Sequence, residues 1–237
     1  MIQEKRVTIC VCASRSFIDK EKAGALAAIL EKENYHVSIE ADLCQKVMRK
    51  SADMEDIASG IIMACHSRAI HAHLHGLGLE AKRVISIRNN RLDEILPPLQ
   101  ISHNGNLPET AAAYIEQIND FPIEDGTDAW FPILDKDRCV ECGKCHDFCL
   151  FGVYAIENKK VKVVQPQNCK NNCPACARMC PSRAIIFPKY EKSPINGGVA
   201  EEEPYNPQEM DTLYKERLRY RLQQRRAGVP LIKKDSE

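Results

Sequence analysis

Eight cysteines in two short runs constrain this chain more than any other feature of it. Residues 139–149 read CVECGKCHDFC, which is Cys139-x2-Cys142-x2-Cys145-x3-Cys149. Residues 169–181 read CKNNCPACARMCP, which is Cys169-x3-Cys173-x2-Cys176-x3-Cys180-Pro181. The runs are two copies of one unit, offset by 30 or 31 residues, and the segments after them also rhyme, GVYAI at 152–156 and SRAII at 182–186. Each copy predicts a cysteine loop, a short helical turn and a strand. Three thiolates so spaced can hold three corners of a 4Fe–4S cube from one loop. The fourth, three residues on, has entered a helical turn and reaches the other cube. One cluster then takes Cys139, Cys142, Cys145 and Cys180, and the other takes Cys169, Cys173, Cys176 and Cys149. Four cysteines also suit structural zinc, but two C-x2-C-x3-C runs in tandem are the cluster pattern.

At these residues the chain resembles the bacterial two-cluster ferredoxin family, over about residues 130–190. Two departures concern the cluster of Cys149 and Cys169. Leu150 stands where a proline usually follows the fourth cysteine, whereas Pro181 keeps that proline in the second copy. The second run also opens with x3, adding one residue among Lys170, Asn171 and Asn172.

The first ninety residues follow another rhythm. Strands are expected at Arg6–Cys12, His36–Ala41, Ile61–Ala64 and Arg83–Ile87. Helices are expected at Asp19–Glu33, within Gln45–Ser59 and at Ser67–Leu77, with Asp19 as an N-cap. This alternation predicts a small parallel α/β sheet. Cys10 and Cys12 end the first strand, pointing to one side of it; Cys44 follows the second and Cys65 the third. Strand ends of a parallel sheet share one edge, where binding sites form. A buried cysteine is often a small core residue, but four at equivalent strand ends point to a metal site.

The stretches TICVCAS, ADLCQKV and IIMACHSRAI look like the N-terminal domain of the flavin and iron–sulfur protein of heterodisulfide reductase, over about residues 5–90. That resemblance implies a third 4Fe–4S cluster on Cys10, Cys12, Cys44 and Cys65, with Cys65-His66-Ser67-Arg68 where the family has Cys-Ser-Pro-Arg. The large flavin domain of that family has no counterpart, because GLGLEAK at 76–82 is not a G-x-G-x-x-G loop and follows a helix. Flavin, if used, belongs to a partner.

The remaining features read more plainly. Lys plus Arg and Asp plus Glu number 33 each, so nothing suggests a nucleic-acid or anionic-membrane partner. No apolar run is long enough to span a bilayer and no signal peptide is visible, so a cytoplasmic location is expected. Twelve cysteines in a reducing compartment favour metal ligation over disulfides. His71 and His75 lack the acidic partner of an H-E-x-x-H site and read as a surface face, while His66 is placed to donate to a cluster sulfur.

The expected organisation is a 1–90 α/β cysteine-containing domain, a 91–129 linker with a short helix, a 130–190 α+β ferredoxin-like two-cluster domain, and a 191–237 tail with a basic helix over 208–226. No nucleophile–base pair, phosphate loop or open metal site is present in the pattern. The expected function is an iron–sulfur electron-transfer subunit of an anaerobic, heterodisulfide-reductase-like complex. It would relay single electrons between a flavoprotein or hydrogenase partner and a terminal acceptor. The alternative is a redox-sensing or regulatory iron–sulfur protein.

Overall fold

The computed structural model describes residues 5–103, 105–121 and 128–199, with isolated positions between 212 and 223. A parallel sheet is built from β1 (Arg6–Cys10), β2 (His36–Glu40), β3 (Ile61–Ala64) and β4 (Arg83–Ser86), in the order β2-β1-β3-β4. Along β1 the side chains alternate between two cores, as a strand period of two demands. Val7 and Ile9 join one core; Cys10 joins the other.

Between β1 and β2 runs α1 (Lys20–Lys32), where Asp19 caps the first turn by accepting the Lys22 N–H at 2.6 Å. The helical stretch expected within Gln45–Ser59 is two helices, α2 (Leu43–Arg49) and α3 (Met54–Ser59). They part at Lys50, which takes the left-handed conformation and ends α2. After β3 comes α4 (Ser67–Gly76). The strand expected over Arg6–Cys12 ends at Cys10, and Cys12 lies beyond it with φ 49°.

Residues 91–129, read from sequence as a linker around a short helix, carry α5 (Leu92–Ile95) and α6 (Ala111–Asn119). Ile95, Leu96, Leu99, Ile101 and Ile118 are buried in the same core as α1. A close approach of α1 and α6 is possible because Gly24 has no side chain; a Cβ there would stand 2.5 Å from Ile115.

The cysteine-rich segment has much less regular structure. Antiparallel pairs join β5 (Ile133–Leu134) to β8 (Ile185–Ile186), and β6 (Tyr154–Glu157) to β7 (Lys160–Val163). The β6–β7 hairpin turns on Asn158 and Lys159, both at positive φ, as a tight right-twisted hairpin requires. Two five-residue helices, α7 (Lys144–Phe148) and α8 (Ala175–Met179), each follow a cysteine loop. Phe131, Ile133 and Ile186 pack with Ile62, Ala69 and Ile70, so the two regions share a core. The basic helix expected over 208–226 lies outside the described residues, isolated positions apart. No described helix is long and apolar enough to cross a membrane.

Candidate metal centres

Three adjacent strand ends gather the N-terminal thiols. Cys10 closes β1, Cys12 sits two residues on, Cys44 is the second residue of α2 after β2, and Cys65 directly follows β3. The chain leaves β1 for β2 on one side and later returns to β3 on the other. That reversal of strand order opens a crevice at the carboxyl edge, where doubly wound sheets bind ligands. All four cysteines are buried, at 6–7% exposure. The expectation that Cys10 and Cys12 share one face of a strand fails, because Cys12 has left the strand in a left-handed conformation. Such a conformation in a residue with a side chain is uncommon and clusters at functional sites.

Burial sets the chemistry of these thiols. It pushes Cys10 up to about 12, with Asp42 adding and the Leu43 amide, 3.4 Å from its sulfur, opposing. Burial likewise holds Cys12 and Cys44 well above the ordinary thiol value, and raises Cys65. Each of Cys10, Cys12 and Cys44 also feels Cys65. Four thiolates so close would repel one another in a low-dielectric site, so they can ionise together only around a cationic group. The donor set therefore fits an iron–sulfur cluster.

In the second region the fourth cysteine of each run lies beside thiols of the other run. Cys139, Cys142, Cys145 and Cys180 all line one small pocket. Burial raises Cys145 to about 12, and Cys180 and Cys142 are among the neighbours adding to it. In the other set burial raises Cys169 to about 12, with Cys173 and Cys149 adding. Cys176 is raised by burial to about 12 and feels Cys169 and Cys149. Among the described residues no three His, Cys, Asp or Glu are gathered as around a single ion.

Hydrogen bonds reach several sulfurs. The Tyr154 hydroxyl donates to Cys176 Sγ at 3.1 Å, and the Ala184 N–H to Cys180 Sγ at 3.3 Å. Such bonds stabilise negative charge on sulfur and so tune a cluster's potential. His66 beside Cys65 is buried, and burial first, then Arg88, lowers it to about 4. Its Nε2 has no hydrogen-bond partner among the described residues. His73, in the stretch read from sequence as a surface face, is buried against Phe131 with ring centres 5.6 Å apart. It is lowered to about 3, chiefly by burial, so it is neutral.

Sequence reasoning did not find the charged residues that join the regions. Lys189 is 1% exposed at its side chain and bonds Ser14 at 2.8 Å, Asp128 at 2.5 Å and Asp42. Burial alone would lower its ammonium, but Asp42, Cys44 and Asp128 outweigh that and raise it. Arg68 Nε donates to Asp135 at 2.6 Å and its terminal nitrogen to the Arg183 carbonyl at 2.5 Å. Arg88 donates to the carbonyls of Tyr190 and Glu191, each at 3.1 Å. Arg15, Arg68 and Arg88 all lie just past a strand of the parallel sheet. Their only sequence signal was that position; Lys189 had none.

Two cysteine runs whose members meet across a doubled unit suit iron–sulfur ligation. Comparison with known proteins finds ferredoxins over this segment. The chain is 51% identical over 67 residues to an uncharacterised ferredoxin of Methanocaldococcus jannaschii, a match covering 28% of this chain and 45% of that protein. It is 33% identical over 78 residues to ferredoxin-3 of Nostoc sp., covering 24% of this chain and 79% of the relative. It is 37% identical over 84 residues to the pyruvate synthase subunit PorD of Methanocaldococcus jannaschii, covering 35% of this chain and 95% of the relative. Through that segment the chain belongs to the ferredoxins. The chain spans less than half the length, 45%, of the first of these relatives. No protein-family model and no solved structure matches the chain.

Proposed function

We propose that this protein carries three 4Fe–4S clusters and passes single electrons as one component of a larger oxidoreductase. Cys139, Cys142, Cys145 and Cys180 hold one cluster, and Cys149, Cys169, Cys173 and Cys176 hold a second. Cys10, Cys12, Cys44 and Cys65 hold the third. The observation that carries this reading is the pocket lined by three cysteines of one run and Cys180 of the other. Each bound cluster supplies one-electron redox chemistry. The chain's own residues orient the thiolates, exclude water from the N-terminal set and direct N–H and O–H groups at sulfur.

In this reading residues 1–90 and 130–190 are the metal-bearing units, and the protein works in the cytoplasm of an anaerobe. The assembly is of heterodisulfide-reductase type, with a flavoprotein or hydrogenase as one partner and a terminal acceptor as the other. Support comes from a relative whose name makes it part of an enzyme, and from the stretches that hold Cys10, Cys12, Cys44 and Cys65.

Anaerobically loaded full-length Cys180→Ala tests the ligand exchange. Mössbauer and EPR spectra should show damage to the cluster of Cys139, Cys142 and Cys145. Damage confined to the Cys169 cluster sinks the assignment. Cys65→Ala should remove about four irons, one cube, and leave the other two clusters intact. Co-purification of the tagged native protein identifies the assembly, and recovery without any redox partner contradicts the proposed assembly.

A further inference from the structure

The second cysteine run opens with three intervening residues where the first has two. The use of the added residue is visible across the boundary between the regions. Arg15, three residues after Cys12, donates to Asn172 Oδ1 at 2.8 Å and to Asn171 Oδ1 at 3.1 Å. Both asparagines lie between Cys169 and Cys173. Asn172 is at φ 59°, a left-handed conformation that asparagine tolerates better than most residues.

Arg15 is itself held from two sides. Its Nε donates to Asp128 at 2.6 Å, and its guanidinium lies over Trp130, 5.3 Å from the ring centre. Asp128 is fixed in turn by Lys189 and Ser14. At the base of this arrangement Cys169 packs against both cores, the one containing Cys10, Cys44 and Cys65 and the one containing Cys145, Cys176 and Cys180. No other cysteine of the 139–180 runs touches the N-terminal thiol core among the described residues.

We infer that the added residue makes the Cys169–Cys173 loop a latch: Arg15 grips Asn171 and Asn172 and thereby seats Cys169 against the core of Cys10, Cys44 and Cys65. The set of Cys149, Cys169, Cys173 and Cys176 is then the one in electronic contact with Cys10, Cys12, Cys44 and Cys65. Cys142 of the other set is exposed. Arg15 is a positioning residue, acting through the loop. The inference rests on the proposed loading of all three sets. Exchange between sets moves one electron, oxidising one centre as it reduces the next, with no bond made and no proton required.

The test uses the full-length loaded protein, reduced stepwise with dithionite. Variants are Arg15→Gln, Arg15→Lys, the Asn171→Ala/Asn172→Ala pair, and a deletion of Asn171 that restores the spacing of the first run. Iron content should be unchanged in all four. EPR of Arg15→Gln and of the asparagine pair should lose the spin–spin broadening between the N-terminal and Cys169 sets, while that between the two ferredoxin sets persists. Electron transfer into the N-terminal set should slow several-fold, with partial recovery in Arg15→Lys. The deletion should behave as Arg15→Gln does. Iron loss in the deletion would make the extra residue a requirement of ligation, and unchanged broadening in Arg15→Gln would refute the latch. If the N-terminal set holds no iron, the proposed function fails instead. The latch is then read alone, by whether Arg15→Gln speeds amide exchange at Cys173, whose N–H bonds the Lys170 carbonyl at 3.1 Å.

Discussion

In the second region eight thiols come from two stretches, 139–149 and 169–180, while in the first region four thiols come from strand ends spread over residues 10–65. The local sets need little scaffold, and they have little: two-residue and four-residue strand pairs and two five-residue helices. Their cysteines range from buried to exposed, and Val140 between two of them is 65% exposed. The dispersed set is presented by a four-stranded sheet with helices on both faces, and every thiol in it is buried. Loop ligation leaves a centre within reach of other proteins. The strand-end thiols are buried instead.

That contrast makes its largest prediction for iron removal. Anaerobic chelation should unfold residues 130–190, because so small a core cannot replace the bonds to metal. Amides of β6 and β7 should lose protection by about a thousandfold or more, while those of β1 and β3 stay protected. Hydrogen exchange followed by mass spectrometry reads both at once, and equal loss in the two regions would erase the distinction.

Ile62 is fully buried in the core that carries Cys10, Cys44 and Cys65. Ile62→Ala should cost ~2–5 kcal/mol through lost contact and an unfilled cavity. Melting should shift down, and iron should be lost from the N-terminal set before the ferredoxin spectrum changes. A variant with normal melting and normal iron would show that the sheet does not present those thiols.

Gly24→Ala asks how far the first region extends. The new Cβ would stand 2.5 Å from Ile115 Cγ1 and 3.2 Å from the Ala111 carbonyl oxygen. Pushing α6 off α1 should cost ~1–3 kcal/mol, the usual range for overpacking, and should expose residues 105–121 to limited proteolysis. An unaltered digestion pattern and melting curve would detach α6 from this core.

The smallest effect expected is electrostatic. Tyr154→Phe removes the hydroxyl 3.1 Å from Cys176 Sγ. The reduced cluster carries more negative charge and loses more stabilisation, so its potential should fall by roughly 20–60 mV, equivalent to about 0.5–1.4 kcal/mol. A redox titration followed by EPR measures it. A shift in the Cys139 set alone would contradict the exchanged ligands.

Much of the first region was legible because its strands and helices are written in local periods. His36–Glu40, Ile61–Ala64 and Arg83–Ser86 fall inside the expected strands, and Asp19 caps α1. The break at Lys50 was not legible, since a left-handed lysine has no sequence signature. Nor was the burial of Ile95, Leu96 and Leu99, because the prolines of LPPLQ interrupt any regular pattern there.

By itself the sequence determined the doubled cysteine unit, the parallel α/β rhythm and the placing of Cys10 and Cys65 at strand ends. These are properties of spacing along the chain, which covalent geometry carries directly into local structure. Only the tertiary structure decided that Cys12 lies beyond its strand, that Lys189 is buried between Asp42 and Asp128, and that Arg15 meets Asn171 and Asn172. Those contacts join residues 61 to 157 positions apart. They exist because two cores merge at one sheet edge, and no local period encodes where distant surfaces will meet.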